Sequence, residues 1–170
     1  KASGTVFPAA PGTIAGEFDA AEFAFVNFSH SEVMADLVAA LALIDAVRGK
    51  ETPVLLTVSP VPLTATAGGR HILLSSTYSK AVLRAVAGEL ADQSERIDYF
   101  PSYEIITNPA AKSRFYAKNL RSVLPEGVAT AMAAFFGEQV SGGALKHTEA
   151  ESEDEDALHC EEALLEAFAK

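Results

Sequence analysis

An α/β fold with a mainly parallel sheet in a three-layer sandwich is what this sequence predicts, and three observations predict it. Stretches with helical periodicity alternate with two short apolar runs, Val54–Val58 and Ile97–Phe100. A helix-length segment separates the runs, as a parallel crossover requires. Each run also stops at a proline-bearing loop, VSPVPLTAT after the first and FPSYE after the second. The 170 residues suit one domain, and 49% apolar with 21% charged residues is an ordinary globular balance rather than that of a disordered chain.

The elements follow in order. KASGTVFPAAPGTIAGEFD is rich in Gly, Pro and Ala and reads as irregular, and Phe23–Phe28 as a short strand or extended lead-in. Ser29 and Glu32 have capping-box spacing. Val33, Met34, Leu37, Val38, Leu41, Ile44 and Val47 then keep helical periodicity to Gly49, which predicts a helix over about 31–48. The continuous apolar run from Val54 predicts a strand covered on both faces. A second helix is expected over about 76–91 with Val82, Leu83, Val86 and Leu90 inward, and a second strand at Ile97–Phe100. Pro125 suits the first turn of a third helix, with Val128, Met132, Phe135 and Phe136 inward. The α/β domain is thus expected over 1–140, a Gly-rich and then acidic linker over 141–157, and a terminal helix over 158–170.

Charge and cysteine usage narrow the function classes. The net charge is −10, but residues 149–170 hold nine acids and one base, so the body is nearly neutral. No cluster of Lys and Arg offers a nucleic-acid footprint. The longest apolar stretch, Leu37–Ile44, is too short to cross a bilayer. Cys160 is alone, so no internal disulfide or cysteine-based metal cluster forms within the chain, and Glu161 and Glu162 beside it disfavour a thiolate. A cytoplasmic location is compatible with this. His30, His71, His147 and His159 are scattered without metal-ligand spacing. No metal and no cofactor is expected. The chain begins with Lys rather than Met, which fits a processed product or part of a longer protein.

LTVSPVPLTAT, RHILLSSTYSKAVLRA and IDYFPSYEIIT, in this order and spacing, resemble the GSCFA family. GTVFPAAPG and RFYAKNLRSV fit it too, so the likeness runs from about Thr5 to Phe136. The family is named for an amino-terminal Gly-Ser-Cys-Phe-Ala motif and is distantly similar to the SGNH hydrolases. The resemblance implies a flavodoxin-like α/β/α fold and ester hydrolysis or acyl transfer on a saccharide or related acyl ester. It also implies that this is the carboxyl-terminal portion of such a fold. Neither the name motif nor a Gly-Asp-Ser is present, so the first strand and its nucleophile are expected outside the chain. A preceding segment or a second copy would then complete the sheet. Where SGNH-type sequences carry Asp-x-x-His-Pro, this chain has Asn119 and Ser122, in AKNLRSVLP. Neutral Asn cannot stabilise an imidazolium, and Ser cannot accept a proton at neutral pH.

In parallel sheets ligands gather at the carboxyl ends of strands, so the two proline-ended loops are the site candidates. His71 is the candidate general base, since an imidazole suits proton transfer near neutrality; its competing reading is a polar loop residue. Glu104 is the candidate to orient it, or else a surface carboxylate or helix-start cap. Ser59 sits between Pro60 and the strand without a G-x-S-x-G elbow, so a hydrogen-bonding role fits it better than nucleophilic attack. Thr64, Ser79, Ser102 and Asn119 complete the polar substrate-binding candidates, and Tyr78 and Tyr103 the aromatic ones. Lys80 and Arg84, four apart, form a candidate clamp for an anionic group or a solvated stripe. Arg121 is a candidate partner for a substrate carboxylate or phosphate, or one half of an internal salt bridge. Two functions stand side by side: an esterase or acyltransferase, and a binding or assembly module that keeps the fold without the dyad.

Overall fold

The computed structural model describes residues 3–7, 11 and 16–140. Lys1–Phe136 form one compact unit and Gly137–Lys170 a second. The expected linker, the terminal helix, His147, His159 and Cys160 lie outside the described residues. The architecture is mixed α/β, in the order α1 (His30–Arg48), β1 (Val54–Thr57), α2 (Ile72–Gln93), β2 (Ile97–Phe100), α3 (Ser102–Thr107) and α4 (Pro125–Val140). A single 3₁₀ turn, Pro109–Ala111, follows α3.

β1 and β2 pair in parallel, from Val54 opposite Ile97 to Thr57 opposite Phe100. The pleat sends alternate side chains to opposite faces. Val54, Leu56 and Ile97 join Leu41 of α1 and Val86 and Leu90 of α2 in one apolar core. Leu55, Thr57 and Phe100 face a separate cavity whose other wall is Val128, Met132 and Phe135 of α4. Leu55 is 51% exposed, so β1 is not covered on both faces as its apolar run predicts. Apolar content gives the strand, but only its neighbours decide which face is filled.

Local chemistry accounts for the helix ends. Before α1, Glu32 accepts the Ser29 amide at 2.8 Å and the Ser29 hydroxyl at 2.6 Å, satisfying donors at the helix start. Gly49 stops the helix at φ 66°, where a Cβ would strain the backbone. Phe23–Phe28 forms no strand and is the lead-in. Of the periodic α1 residues, Leu41 is buried and Val33, Met34 and Leu37 pack beside it, whereas Val38, Ile44 and Val47 are exposed. Periodicity defines the helix but not its buried sector when apolar residues run round it. α2 starts four residues earlier than expected, and Leu83 on its expected inner stripe is exposed. Phe136 of α4 is exposed as well, while Phe135 meets Phe100 edge-on with ring centroids 5.3 Å apart.

Two further contacts hold the frame. Arg96 bonds Asp45 at 2.9 Å and donates to the Thr52 carbonyl at 2.8 Å, while Asp45 accepts the Thr52 amide at 2.9 Å. The carboxyl end of α1 is thereby tied to the amino ends of both strands. At the opposite end, Ile106, Ala111 and Phe115 form a second small core with Val123 and Ala131 against it. Gly127 permits this approach: a Cβ there would lie 2.9 Å from Phe115 Cβ and 3.0 Å from Val123 Cγ1.

Truncation should report these cores separately in urea unfolding followed by circular dichroism. Ile106, 2% exposed, should cost about 2–5 kcal/mol as Ile106→Ala. Gly127→Ala should cost about 1–3 kcal/mol by overpacking. Val47→Ala, at a position 89% exposed, should stay within about 0.5 kcal/mol of the parent.

Candidate functional site

The carboxyl ends of β1 and β2 are fastened by two hydroxyls. Thr57 Oγ1 lies 2.9 Å from the Phe100 carbonyl and 2.6 Å from Ser102 Oγ, which in turn lies 3.1 Å from the Val58 carbonyl. Two protons serve three contacts, so this knot holds the loop after each strand in a common place. FPSYE is not a loop as expected: α3 starts at Ser102, directly after Pro101. Beyond β1, Pro60 and Pro62 fix φ and remove amide donors, which leaves the path stiff. The path is anchored where Ser76 Oγ accepts the Leu63 amide at 3.2 Å and where Tyr116 donates its hydroxyl to the Pro60 carbonyl at 2.8 Å.

Between this path, α2, α3 and the 112–121 loop lies a cavity of about 490 Å³. Of the residues singled out from sequence, Thr64, Lys80, Tyr103, Asn119 and Arg121 line it. Ser76, Thr77, Thr107, Ser113 and Tyr116 line it too, and sequence reasoning did not select them. Had α2 been started at Ile72, its period would have set Ile72, Leu73, Ser76, Thr77 and Lys80 on one face. No carboxylate belongs to the lining. Burial without a counter-charge pulls the Lys80 ammonium below its ordinary value.

The 119–122 segment has its own lock. Asn119 Oδ1 accepts the amides of Arg121 and Ser122, each at 3.0 Å, and Nδ2 donates to Ser122 Oγ at 3.0 Å. This closes an Asx-type turn with Leu120 in the left-handed region at φ 54°. The turn leaves Arg121 Nε buried without a hydrogen-bond partner. Among the described residues Arg121 forms no salt bridge, so its expected internal pairing is absent.

His71 and Glu104 are not brought together by their contacts. His71 is the N-cap of α2 and accepts the Leu73 amide on Nδ1 at 3.2 Å. The lone pair a neutral ring would use as a base is thus engaged by the helix. Glu104 is held by Arg84 Nε at 2.5 Å and by the Tyr99 hydroxyl at 2.9 Å, with the Arg84 guanidinium 4.0 Å over the Tyr99 ring. Arg84 is therefore no clamp partner for Lys80; the second cation of the cavity is Arg121. Burial works to raise the Glu104 carboxyl, but the Arg84 bond, the backbone and Tyr99 outweigh it and hold it below its ordinary value. Burial, then the bond to Glu104, push the Tyr99 phenol upward. Ser59 accepts the Val61 amide, Tyr78 donates weakly to the Phe28 carbonyl, and neither they nor Ser79 line this cavity. Ser102 lines the apolar one. His30 meets Glu89 at 3.2 Å on the surface rather than standing free.

The depressed Glu104 carboxyl has a defined pH signature. Its stabilising contribution is complete above the unfolded-chain value of about 4.3 and is lost as pH falls through the lower folded value. Arg84 and Glu104 are 41% and 39% exposed, so the effect should be small, on the order of 0.2–1 kcal/mol. Glu104→Gln should remove that component of the acid limb in melts taken between about pH 5 and pH 3. An identical acid limb in both proteins would contradict the assignment.

Among the described residues no helix is long and apolar enough to cross a membrane, and no group of His, Cys, Asp and Glu is placed to hold a metal ion. No curated protein and no solved structure matches the chain. One family model does, over residues 1–135 of the 170. The cavity at the ends of two parallel strands, with Asn119 of the Asn119–Ser122 lock in its lining, thus lies in a chain that belongs to the GSCFA family.

Proposed function

We propose that this chain provides the substrate-binding wall of a GSCFA-family protein that hydrolyses or transfers acyl esters of saccharides or related small molecules. The observation carrying this reading is the 490 Å³ cavity at the carboxyl ends of β1 and β2, whose apolar walls carry hydroxyls and two cations, at the place where parallel sheets bind ligands. In such chemistry a nucleophile attacks the acyl carbonyl, and the alcohol oxygen leaves with a proton. The hydroxyls of Thr64, Thr77, Tyr103 and Ser113 suit the sugar, while Lys80 and Arg121 suit developing or resident negative charge. A three-layer, flavodoxin-like arrangement completed by a further segment or a second copy belongs to the same proposal, as does a cytoplasmic location. For His71 and Glu104 to act as base and orienter, His71 would leave the α2 cap and Glu104 would leave Arg84. Their contacts support a helix cap and an ion-pair anchor instead.

A second reading, a binding module without chemistry, is favoured by the neutral Asn119–Ser122 pair standing where the family resemblance expects a carboxylate and an imidazole. The two are separated by measuring turnover of p-nitrophenyl esters and acetylated sugars together with labelling by a serine-directed covalent probe. The enzyme reading expects turnover and labelling; neither, under any condition, sinks it. Introducing Asn119→Asp with Ser122→His should raise ester turnover by about 10²-fold or more if the remaining site is competent. Saccharide binding with no gain in turnover selects the module.

A further inference from the structure

We propose that the cavity selects a polyhydroxylated anion, a sugar bearing a carboxylate or phosphate, with Lys80 and Arg121 receiving the acidic group. Charge supports this first. Two cations line the cavity and no carboxylate does, although the chain as a whole is acidic at −10. The chain's other half-buried cation near a strand end, Arg84, is neutralised by Glu104, and Arg96 is neutralised by Asp45. Lys80 and Arg121 are the exceptions among the described cavity residues.

The second support is a missing hydrogen bond. Buried polar groups are nearly always paired, and a buried donor without a partner is costly. Arg121 Nε is such a donor, and the Asn119 turn holds the backbone that carries it. The guanidinium forms no salt bridge among the described residues, and its end nitrogens offer an acidic group the two-point geometry that arginine gives carboxylates and phosphates. The Lys80 ammonium, desolvated without compensation, would gain a counter-charge in the same event.

Hydroxyls argue that the anion carries a sugar-like body. Ser76, Thr107 and Tyr116 spend their hydroxyls on the protein itself. Those of Thr64, Thr77, Tyr103 and Ser113 line the space without an intramolecular bond among the described residues. The cavity volume is within the range of small-molecule sites. The proposal rests on reading this cavity as the substrate site only for its place in the reaction; binding is independent of turnover.

Calorimetric titration of the full chain with glucuronate, glucose 6-phosphate and glucose tests it. At least one of the two acids should bind tenfold or more tightly than glucose, and the one preferred identifies the acidic group. Arg121→Gln and Lys80→Gln should each weaken that acid at least tenfold and leave any glucose binding unchanged. Arg121→Lys, which keeps charge but loses the fork, should fall between, and Lys118→Gln, on the exposed loop outside the lining, should change nothing. Thermal melts confirm that each variant is folded, and if Arg121→Gln is not, Lys80→Gln alone carries the test. Equal affinity for acid and neutral sugar, indifference to both substitutions, or no binding of any of the three overturns the proposal. Turnover of acetylated sugars together with equal affinity for the acids and glucose would leave the esterase reading standing and remove this one.

Discussion

Parallel pairing of β1 with β2 is the constraint on which the molecule depends. Antiparallel strands would deliver their ends to opposite edges; four parallel pairs, Val54–Ile97 to Thr57–Phe100, deliver both to one. The amino ends are then drawn together by Arg96 and Asp45, and the carboxyl ends by Thr57 and Ser102. With both ends fastened, the segments that follow the strands have little choice of direction. α3 turns down from Pro101, and the Pro60–Pro62 path crosses toward Tyr116.

That arrangement produces two cavities of different character that share Pro60 as a wall. One is the uncovered outer face of the sheet against α4, lined by Leu55, Phe100, Met132 and Phe135. The other mixes apolar walls with hydroxyls and carries two cations, Lys80 and Arg121. A proline suits the partition because its fixed φ and missing amide let both sides be shaped without an unpaired donor. The hydroxyl-rich stretch after β1 thus combines stiffness with polarity for separate reasons. Its prolines determine the route, and Thr64 faces the space that the route encloses, while Thr66 accepts the Gly68 amide.

Much of this was legible in the sequence, and the remainder has identifiable physical causes. α1, β1, α2, β2 and α4 follow from period and punctuation, because capping and glycine termination act over a few residues. Which face each buries did not follow, since Val38, Ile44 and Val47 give α1 apolar surface beyond its packed sector. α3, at six residues, is too short to show a period. For the site, residue type pointed to Lys80, Tyr103, Asn119 and Arg121, whose chemistry is the same wherever they sit. Partnership was not readable: Glu104 lies 20 positions from Arg84, and the contact decides that its carboxylate is spoken for. His71 illustrates the same limit, because a shift of four residues in a helix start turns a loop imidazole into a cap.

The amide–hydroxyl lock at Asn119 and Ser122 carries a further meaning. A carboxylate facing an imidazole would change charge between mildly acidic and neutral conditions, and the segment between them would feel each change. Asn and Ser have no ionisation in that interval. The mouth of the cavity is therefore latched by groups blind to acidity. Whatever acid or base comes to occupy the interior, this rim keeps one shape across the physiological range.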